Sequence, residues 1–359
     1  MATRPIRVLL TNDDGPPARD SPYVLGLYLE LKKLGWDIRV VIPASQKSWI
    51  GKAYVIHDVV YGQHFYPKED GTGEMCNASR PLKSGEAGEW ILFEGTPATC
   101  TNIALHNLYP GEIDLVISGP NFGINTGSAF ALSSGTIGAA MSGALSQMRS
   151  IALSYGTFRG VALPEYTVPA HALAGRIIKR LWENWGTDQH GLRPNEVDLY
   201  NVNIPMTSQL LRPEGIGVCW TTLRRNSYGR LFHPRKESDT GASRVESEAP
   251  SPVTTTAISD QPNIPPHNQL KPGPEDRISK PNQHISAPGR IRTSSTHLQQ
   301  SKIAFTFSYS YDVRNSAHPP LKGTDLWAIN NSIASVTPMR AVFCLGGEGE
   351  ITAGSTWHW

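Results

Sequence analysis

The stretch Val8-Leu9-Leu10-Thr11-Asn12-Asp13-Asp14-Gly15 constrains this chain more than any other. Three consecutive apolar residues without alternation fit a strand covered on both faces. The amide, two carboxylates and glycine that follow open its carboxyl end, and in parallel sheets ligands sit beyond that edge. Adjacent carboxylates repel each other and are costly to desolvate unless a cation offsets their charge. Oxygen donors of this kind favour Mg²⁺, Mn²⁺ or Ca²⁺ over zinc. Asn-Asp-Asp-Gly also suits a solvated turn, and these residues alone leave both readings open.

The chain then alternates helix and strand. Ser21-Pro22 reads as an N-cap with proline at the first helical position, Val24, Leu27, Tyr28, Leu31 and Leu34 share one helical face, and Gly35 ends it. Trp36 to Ile42 is a second strand, closed by Pro43, so the pair should be parallel with a right-handed crossover. The polar loop Ala44–Gly51 falls at the same sheet edge as Asp13 and Asp14. Residues 54–93 mix short β-like runs with a Gly/Lys/Glu-rich excursion at 68–89, a hairpin or flap. Thr96 and Pro97 open a helix to about His106, and Asp114–Ser118 is a buried strand running into the Gly/Asn-rich loop 119–125.

Ser133-Ser134-Gly135-Thr136 leads into a small-residue helix, Ile137–Leu145. A helix amino end offers unpaired N–H groups and a positive dipole end, which suits phosphate. Small residues let the backbone approach an anion; the alternative is that these glycines serve only helix–sheet packing. Further on come a strand at Ser150–Tyr155, a helix at Val168–Trp185, a strand at Tyr200–Pro205, and β structure from Gly215 to about Pro234 carrying Arg224, Arg225 and Arg230.

With 359 residues, 39% hydrophobic and 18% charged, the chain can bury a sizeable core, and its net charge of +2 gives no nucleic-acid or membrane-surface signal. Cys76, Cys100, Cys219 and Cys344 are scattered, which suggests neither a zinc site nor a disulfide framework. None of the eleven histidines has metal-ligand spacing. No apolar run matches a membrane span and the first residues lack a signal-peptide core, so a soluble, cytoplasmic protein is expected. Residues 241–300 hold nine of the 28 prolines and no aromatic residue, cysteine or methionine. Such a composition cannot bury enough apolar surface to offset ordering entropy. We therefore expect a domain in two parts, 1–236 and 301–345, a disordered insertion at 237–300, and a frayed tail at 346–359.

Thr11-Asn12-Asp13-Asp14-Gly15, Ser48 after Pro43, Glu94-Gly95-Thr96-Pro97, Ser118-Gly119-Pro120-Asn121 with Asn125, and Ser134-Gly135-Thr136 together resemble the SurE survival-protein family. Asn201-Val202-Asn203-Ile204-Pro205, Gly323-Thr324-Asp325 and Ser335-Val336-Thr337-Pro338 continue the pattern in the family's order. The resemblance covers about residues 5–235 and 301–345, and Pro16-Pro17 and Gln46–Gly51 look more like fungal than bacterial members. It implies a Rossmann-like three-layer α/β/α sandwich with an additional β-rich dimerisation region. It also implies a phosphatase or nucleotidase dependent on Mg²⁺ or Mn²⁺ and acting on nucleoside monophosphates or other phosphate esters. Carried over by position, Asp13, Asp14, Ser48 and Asn121 hold the metal, and Asp13, Asp14 and Asn12 form the catalytic set. Asn125, Ser134, Gly135 and Thr136 hold the phosphate. The expected assembly is a homodimer, with a tetramer as the alternative.

Thr99 stands where many bacterial members carry aspartate. The rival readings are a catalytically inactive module that binds nucleotides or a protein, and a dinucleotide-dependent oxidoreductase. The second lacks a Gly-x-Gly-x-x-Gly after the first strand. No aromatic pair in the sequence marks a base-stacking pocket.

Overall fold

A computed structural model describes residues 4–157, 163–234, 303–308 and 319–343. The insertion expected at 237–300 and the tail expected at 346–359 lie outside these residues. The chain forms two units, Met1–Tyr228 with Asp312–Trp359, and Gly229–Tyr311.

In the larger unit, six strands run parallel at the centre of a ten-stranded sheet. They are β1 (Arg7–Thr11), β2 (Asp37–Pro43), β5 (Trp90–Phe93), β6 (Leu115–Phe122), β7 (Arg149–Gly156) and β8 (Leu199–Pro205). One flank adds an antiparallel hairpin, β3 (Gly62–Pro67) and β4 (Gly73–Cys76), which resolves the excursion at 68–89. The other adds β9 (Val218–Trp220) and β12 (Ala334–Met339), with β12 antiparallel to β8. The order is β4-β3-β5-β2-β1-β6-β7-β8-β12-β9. The chain leaves β1 toward β2 and later returns to its other side at β6, so the strand order reverses between β1 and β6. That reversal is the switch point at which open α/β sheets form their ligand crevice.

Burial on both faces explains the apolar run of β1. Val8 and Leu10 join a cluster with Leu27, Leu31, Ala170 and Ile178, from α1 (Val24–Lys33) and α5 (Thr167–Glu183). Leu9 faces the other way, against Cys100 and Ala104 beneath α2 (Pro97–Ile103). Ile137, Ala140 and Ala144 of α4 (Gly135–Leu145) pack on Ala152 and Leu199 on that second side. The result is the expected three-layer α/β/α arrangement with added β structure.

Several local boundaries differ from the sequence reading. Helix α1 begins at Val24 with no side-chain cap, because the Ser21 hydroxyl donates instead to the Gly15 carbonyl at 2.8 Å. Strand β6 runs on through Phe122, through residues read as loop. A short helix α3 (Ser128–Ser133), unforeseen, precedes α4. Helix α2 has the expected Thr96 cap and continues as a π-helical turn, Ala104–Leu108. The Thr99 hydroxyl lies 2.8 Å from that of Thr96 and accepts the Val55 N–H at 3.1 Å. Of the β structure expected over 215–234, only Val218–Trp220 and β10 (Phe232–Pro234) are strands. In the smaller unit β10 pairs antiparallel with β11 (Phe305–Phe307), Phe232 facing Phe307.

Candidate active site

The acidic turn is built by its own neighbours. Asn12 Oδ1 accepts the Gly15 N–H at 3.0 Å and its Nδ2 donates to the Gly15 carbonyl at 2.8 Å, a closed side-chain-to-backbone turn. Both polar atoms of Asn12 are thereby occupied in shaping the turn. Gly15 supplies the positive φ of 87° that the turn needs. Asp13 and Asp14 emerge from it only 2% and 5% exposed.

Asp13 faces the amino end of α4. Its Oδ1 accepts the Thr136 hydroxyl at 2.6 Å, and the first-turn N–H groups of Gly135 and Thr136 also act on it. The close approach requires Gly135, where a Cβ would stand 2.8 Å from Asp13 Cβ. Ser134 caps α4, its Oγ accepting the Ile137 N–H at 3.1 Å. Asp14 faces β6 and its Oδ2 accepts the Phe122 N–H at 2.7 Å. Asn121 is the residue before that donor, past a register shift in β6 at Gly119 and Pro120. Gly119, with φ 131°, admits no side chain: a Cβ would lie 2.1 Å from the Leu153 carbonyl oxygen.

Ser48 is exposed, in a loop pinned on both sides. The Lys47 N–H donates to the Asp13 carbonyl at 2.7 Å and the Gly51 N–H to the Ser133 carbonyl at 2.9 Å. Asn125 is anchored rather than free. Its Nδ2 donates to Ser154 Oγ at 2.9 Å, its N–H to Asn203 Oδ1 at 2.9 Å, and its carbonyl accepts Asn201 Nδ2 at 2.8 Å. Asn201 and Asn203 reach it because β8 alternates, with Tyr200, Val202 and Ile204 in the α1/α5 core.

Burial first, and then the charge of Asp13, pushes the Asp14 carboxyl well above the usual range; the Phe122 N–H opposes this. Asp20 adds a further negative charge. Burial raises Asp13 to about 6 even against the Thr136 hydroxyl. Among the described residues, no cationic side chain is among the main groups acting on either carboxylate. Two buried, adjacent, uncompensated carboxylates fit a bound divalent cation, since each buried ion otherwise carries a penalty of several kcal/mol. Among the described residues no group of three or more His, Cys, Asp or Glu could hold a metal. A cation at Asp13 and Asp14 would therefore complete its shell with neutral oxygens and water, the habit of Mg²⁺ and Mn²⁺ rather than zinc.

Two features had no role in the sequence reading. Buried Asp325, first residue of α6 (Asp325–Asn330), accepts the Gly127 N–H at 2.7 Å and the Arg224 N–H at 3.0 Å, tying two loops together. Its signal was the Gly323-Thr324-Asp325 motif. Trp49, Phe130 and Tyr228 converge, with ring centroids 5.6 to 6.3 Å apart. No spacing in the sequence joins them.

The profile of the family described as Survival protein SurE matches residues 8–230. Over 231 residues the chain is 36% identical to a protein named probable tubulin–tyrosine ligase PBY1 of Saccharomyces cerevisiae, matching 57% of this chain and 29% of that protein. It is 32% identical over 225 residues to the 5'-nucleotidase SurE of Clostridium botulinum, 60% of this chain and 72% of the relative. Against the 5'-nucleotidase SurE of Desulforudis audaxviator it is 35% identical over 123 residues, 34% of this chain and 40% of that relative. The chain thus spans less than half the length of some curated relatives it matches. The crystal structure of SurE from Aquifex aeolicus superposes with a TM-score of 0.55 at 19% identity, covering 94% of each chain, which shows the fold. With the profile covering more than half its length, the chain belongs to the SurE survival-protein family.

Proposed function

We propose that this chain is a divalent-metal-dependent phosphomonoesterase, of the 5'- or 3'-nucleotidase or acid phosphatase type, acting on nucleoside monophosphates or related phosphate esters. The observation that carries the reading is the pair of buried carboxylates at the switch point of the sheet, Asp13 facing the amino end of α4 and Asp14 facing the Phe122 N–H of β6. Relatives named 5'-nucleotidase support it. Asp13, Asp14, Ser48 and Asn121 would hold Mg²⁺ or Mn²⁺. When bound, such an ion supplies Lewis-acid polarisation of a phosphoryl oxygen and a lowered pKa for its water.

The chain's own groups divide the remaining work. Ser134, Gly135 and Thr136 present the positive end of α4 to the phosphoryl oxygens, where negative charge is stabilised. Asn125 contributes by fixing the 123–127 loop through Ser154, Asn201 and Asn203. Asn12 holds the acidic turn in shape. Asp13, raised by burial to about 6, is the base that takes a proton from the attacking water, since a base works best with its pKa near the working pH.

We further propose a homodimer assembled through the β-rich flank. Val218 and Trp220 of β9, 49% and 61% exposed at the sheet's edge, support that assembly, and light scattering would measure it. A cytoplasmic setting is supported by the unpaired thiols of Cys76, Cys100 and Cys219.

The test is phosphate release from p-nitrophenyl phosphate and a panel of nucleoside monophosphates, with Mn²⁺ or Mg²⁺ against EDTA. Activity should vanish with EDTA and return with metal. Folded protein that releases no phosphate from any ester with either metal would overturn the reading in favour of a nucleotide- or protein-binding module.

A further inference from the structure

Trp49, Phe130 and Tyr228 come from a loop, a short helix and a segment after β9, yet their rings meet pairwise. Trp49 and Phe130 are edge-to-face at 5.6 Å, Phe130 and Tyr228 edge-to-face at 6.3 Å, and Trp49 and Tyr228 tilted at 6.0 Å. We propose that these rings form a stacking platform for the base of a nucleoside monophosphate whose phosphate lies at Asp13 and the amino end of α4. The proposal rests on the phosphatase reading for the position of the phosphate.

Two kinds of observation place the platform beside that position. Trp49 directly follows Ser48, so their Cα atoms are about 3.8 Å apart. Phe130 lies on α3, whose last residue, Ser133, accepts the Gly51 N–H and adjoins the Ser134 cap. The ring cluster and the phosphate end therefore share two backbone segments.

The rings are also held in place without being buried. Tyr228 is 44% exposed and Trp49 and Phe130 are half-buried, and none of the three belongs to the core clusters. The Tyr228 hydroxyl donates to the Ala129 carbonyl, and Asn226 Oδ1 accepts the Ala129 N–H at 2.8 Å, fixing the segment against α3. Trp49 has φ 63°, a region that a bulky residue rarely occupies and where glycine would be relaxed. A loop that needed only to turn would be better served by glycine. Here the strained residue carries the largest aromatic surface available, next to a candidate phosphate site. Stacking on aromatic side chains accepts any nucleobase, because every base has a π-face.

Turnover of AMP and ribose 5-phosphate, which carries a hydroxyl at C1′ where AMP carries adenine, measures the platform in the full chain with Mn²⁺. Wild type should favour AMP by about tenfold or more in kcat/KM, through KM. Trp49→Ala and Phe130→Ala, each shown by circular dichroism to be folded, should collapse that ratio, and Tyr228→Phe, which keeps the ring, should retain it. Equal handling of the two substrates by wild type, or a ratio unchanged in both alanine variants, overturns the proposal. Should neither substrate turn over, calorimetry with the same pair and the same variants decides between these outcomes from the ratio of affinities. Ribose 5-phosphate hydrolysis without a base preference sinks the platform and leaves the phosphatase reading standing. Absence of hydrolysis of every ester, with AMP still bound more tightly than ribose 5-phosphate, does the reverse.

Discussion

Replacing Asp14 by asparagine removes a buried negative charge and a candidate cation ligand together, so stability and activity should move in opposite directions. The side chain keeps its size and an oxygen for the Phe122 N–H. In EDTA at pH 7.5 we expect Asp14→Asn to gain on the order of 1–3 kcal/mol in urea denaturation, because burial beside Asp13 opposes ionisation of the aspartate and asparagine carries no such cost. Phosphate release with metal should fall at least about a hundredfold, the scale of losing a group that acts only in the transition state. A variant that is both less stable without metal and fully active would contradict these roles. Asp13 and Asp14 both set the pH dependence of metal binding, since burial raises both carboxyls. The folded value of Asp13, near 6, lies above the unfolded value of about 3.9. Its stabilising contribution is thus complete below about pH 4 and lost as pH rises through about 6. Bound cation would reverse that loss, so the rise in Tm on adding Mg²⁺ should be larger at pH 7.5 than at pH 5. His171 has the opposite sign. Buried, and hydrogen-bonded to the Tyr155 hydroxyl at 2.9 Å, it is lowered to about 4. Its contribution, on the order of 3 kcal/mol, is present above about pH 6.5 and lost as pH falls through about 4. His171→Gln should flatten the acid limb of a stability–pH curve measured in urea.

Among the elements, the cap at Thr96 was legible: its hydroxyl accepts the Thr99 N–H, although it also bonds the Ala53 carbonyl. Ser134 and Thr324 cap α4 and α6 in the same way, where the sequence reading assigned no cap. Ser21 misled because its hydroxyl closes the acidic turn instead, a competition that local pattern does not reveal. Asp325 acts between elements. Asp325→Ala would leave the Gly127 and Arg224 N–H groups without their acceptor, and should cost about 2–4 kcal/mol in chemical denaturation and lower turnover as the 125–134 segment loosens. Asp325→Asn, which keeps an acceptor oxygen, should lose less. Gly138 governs how closely the Ser48 loop sits on α4. A Cβ there would meet the Gly51 carbonyl oxygen at 2.4 Å, so Gly138→Ala should raise the metal concentration needed for half-maximal activity despite alanine's better helix propensity.

For the whole molecule, the ladder of β10 and β11 pairs Pro234 with Phe305, placing the two sides of the intervening sequence opposite each other. Replacing residues 237–300 with a short Gly/Ser linker should therefore leave Tm and metal-dependent phosphate release close to wild type. A large loss in either would make that segment part of the working protein. The sequence by itself determined the parallel core, because an apolar run buried on two faces, helix periodicity and the turn residues at strand ends are local properties of β1, α1 and β6. It also brought Asp13, Asp14 and the amino end of α4 to one sheet edge, since every parallel strand in a crossover unit ends on the same side. Only the tertiary structure decided that Asp325 holds Gly127 from 198 residues away, that Asn203 seats Asn125, and that three aromatic rings from separate segments meet beside Ser48. Those contacts depend on the order in which strands join the sheet and on the close approaches its glycines permit, and neither has a period along the chain.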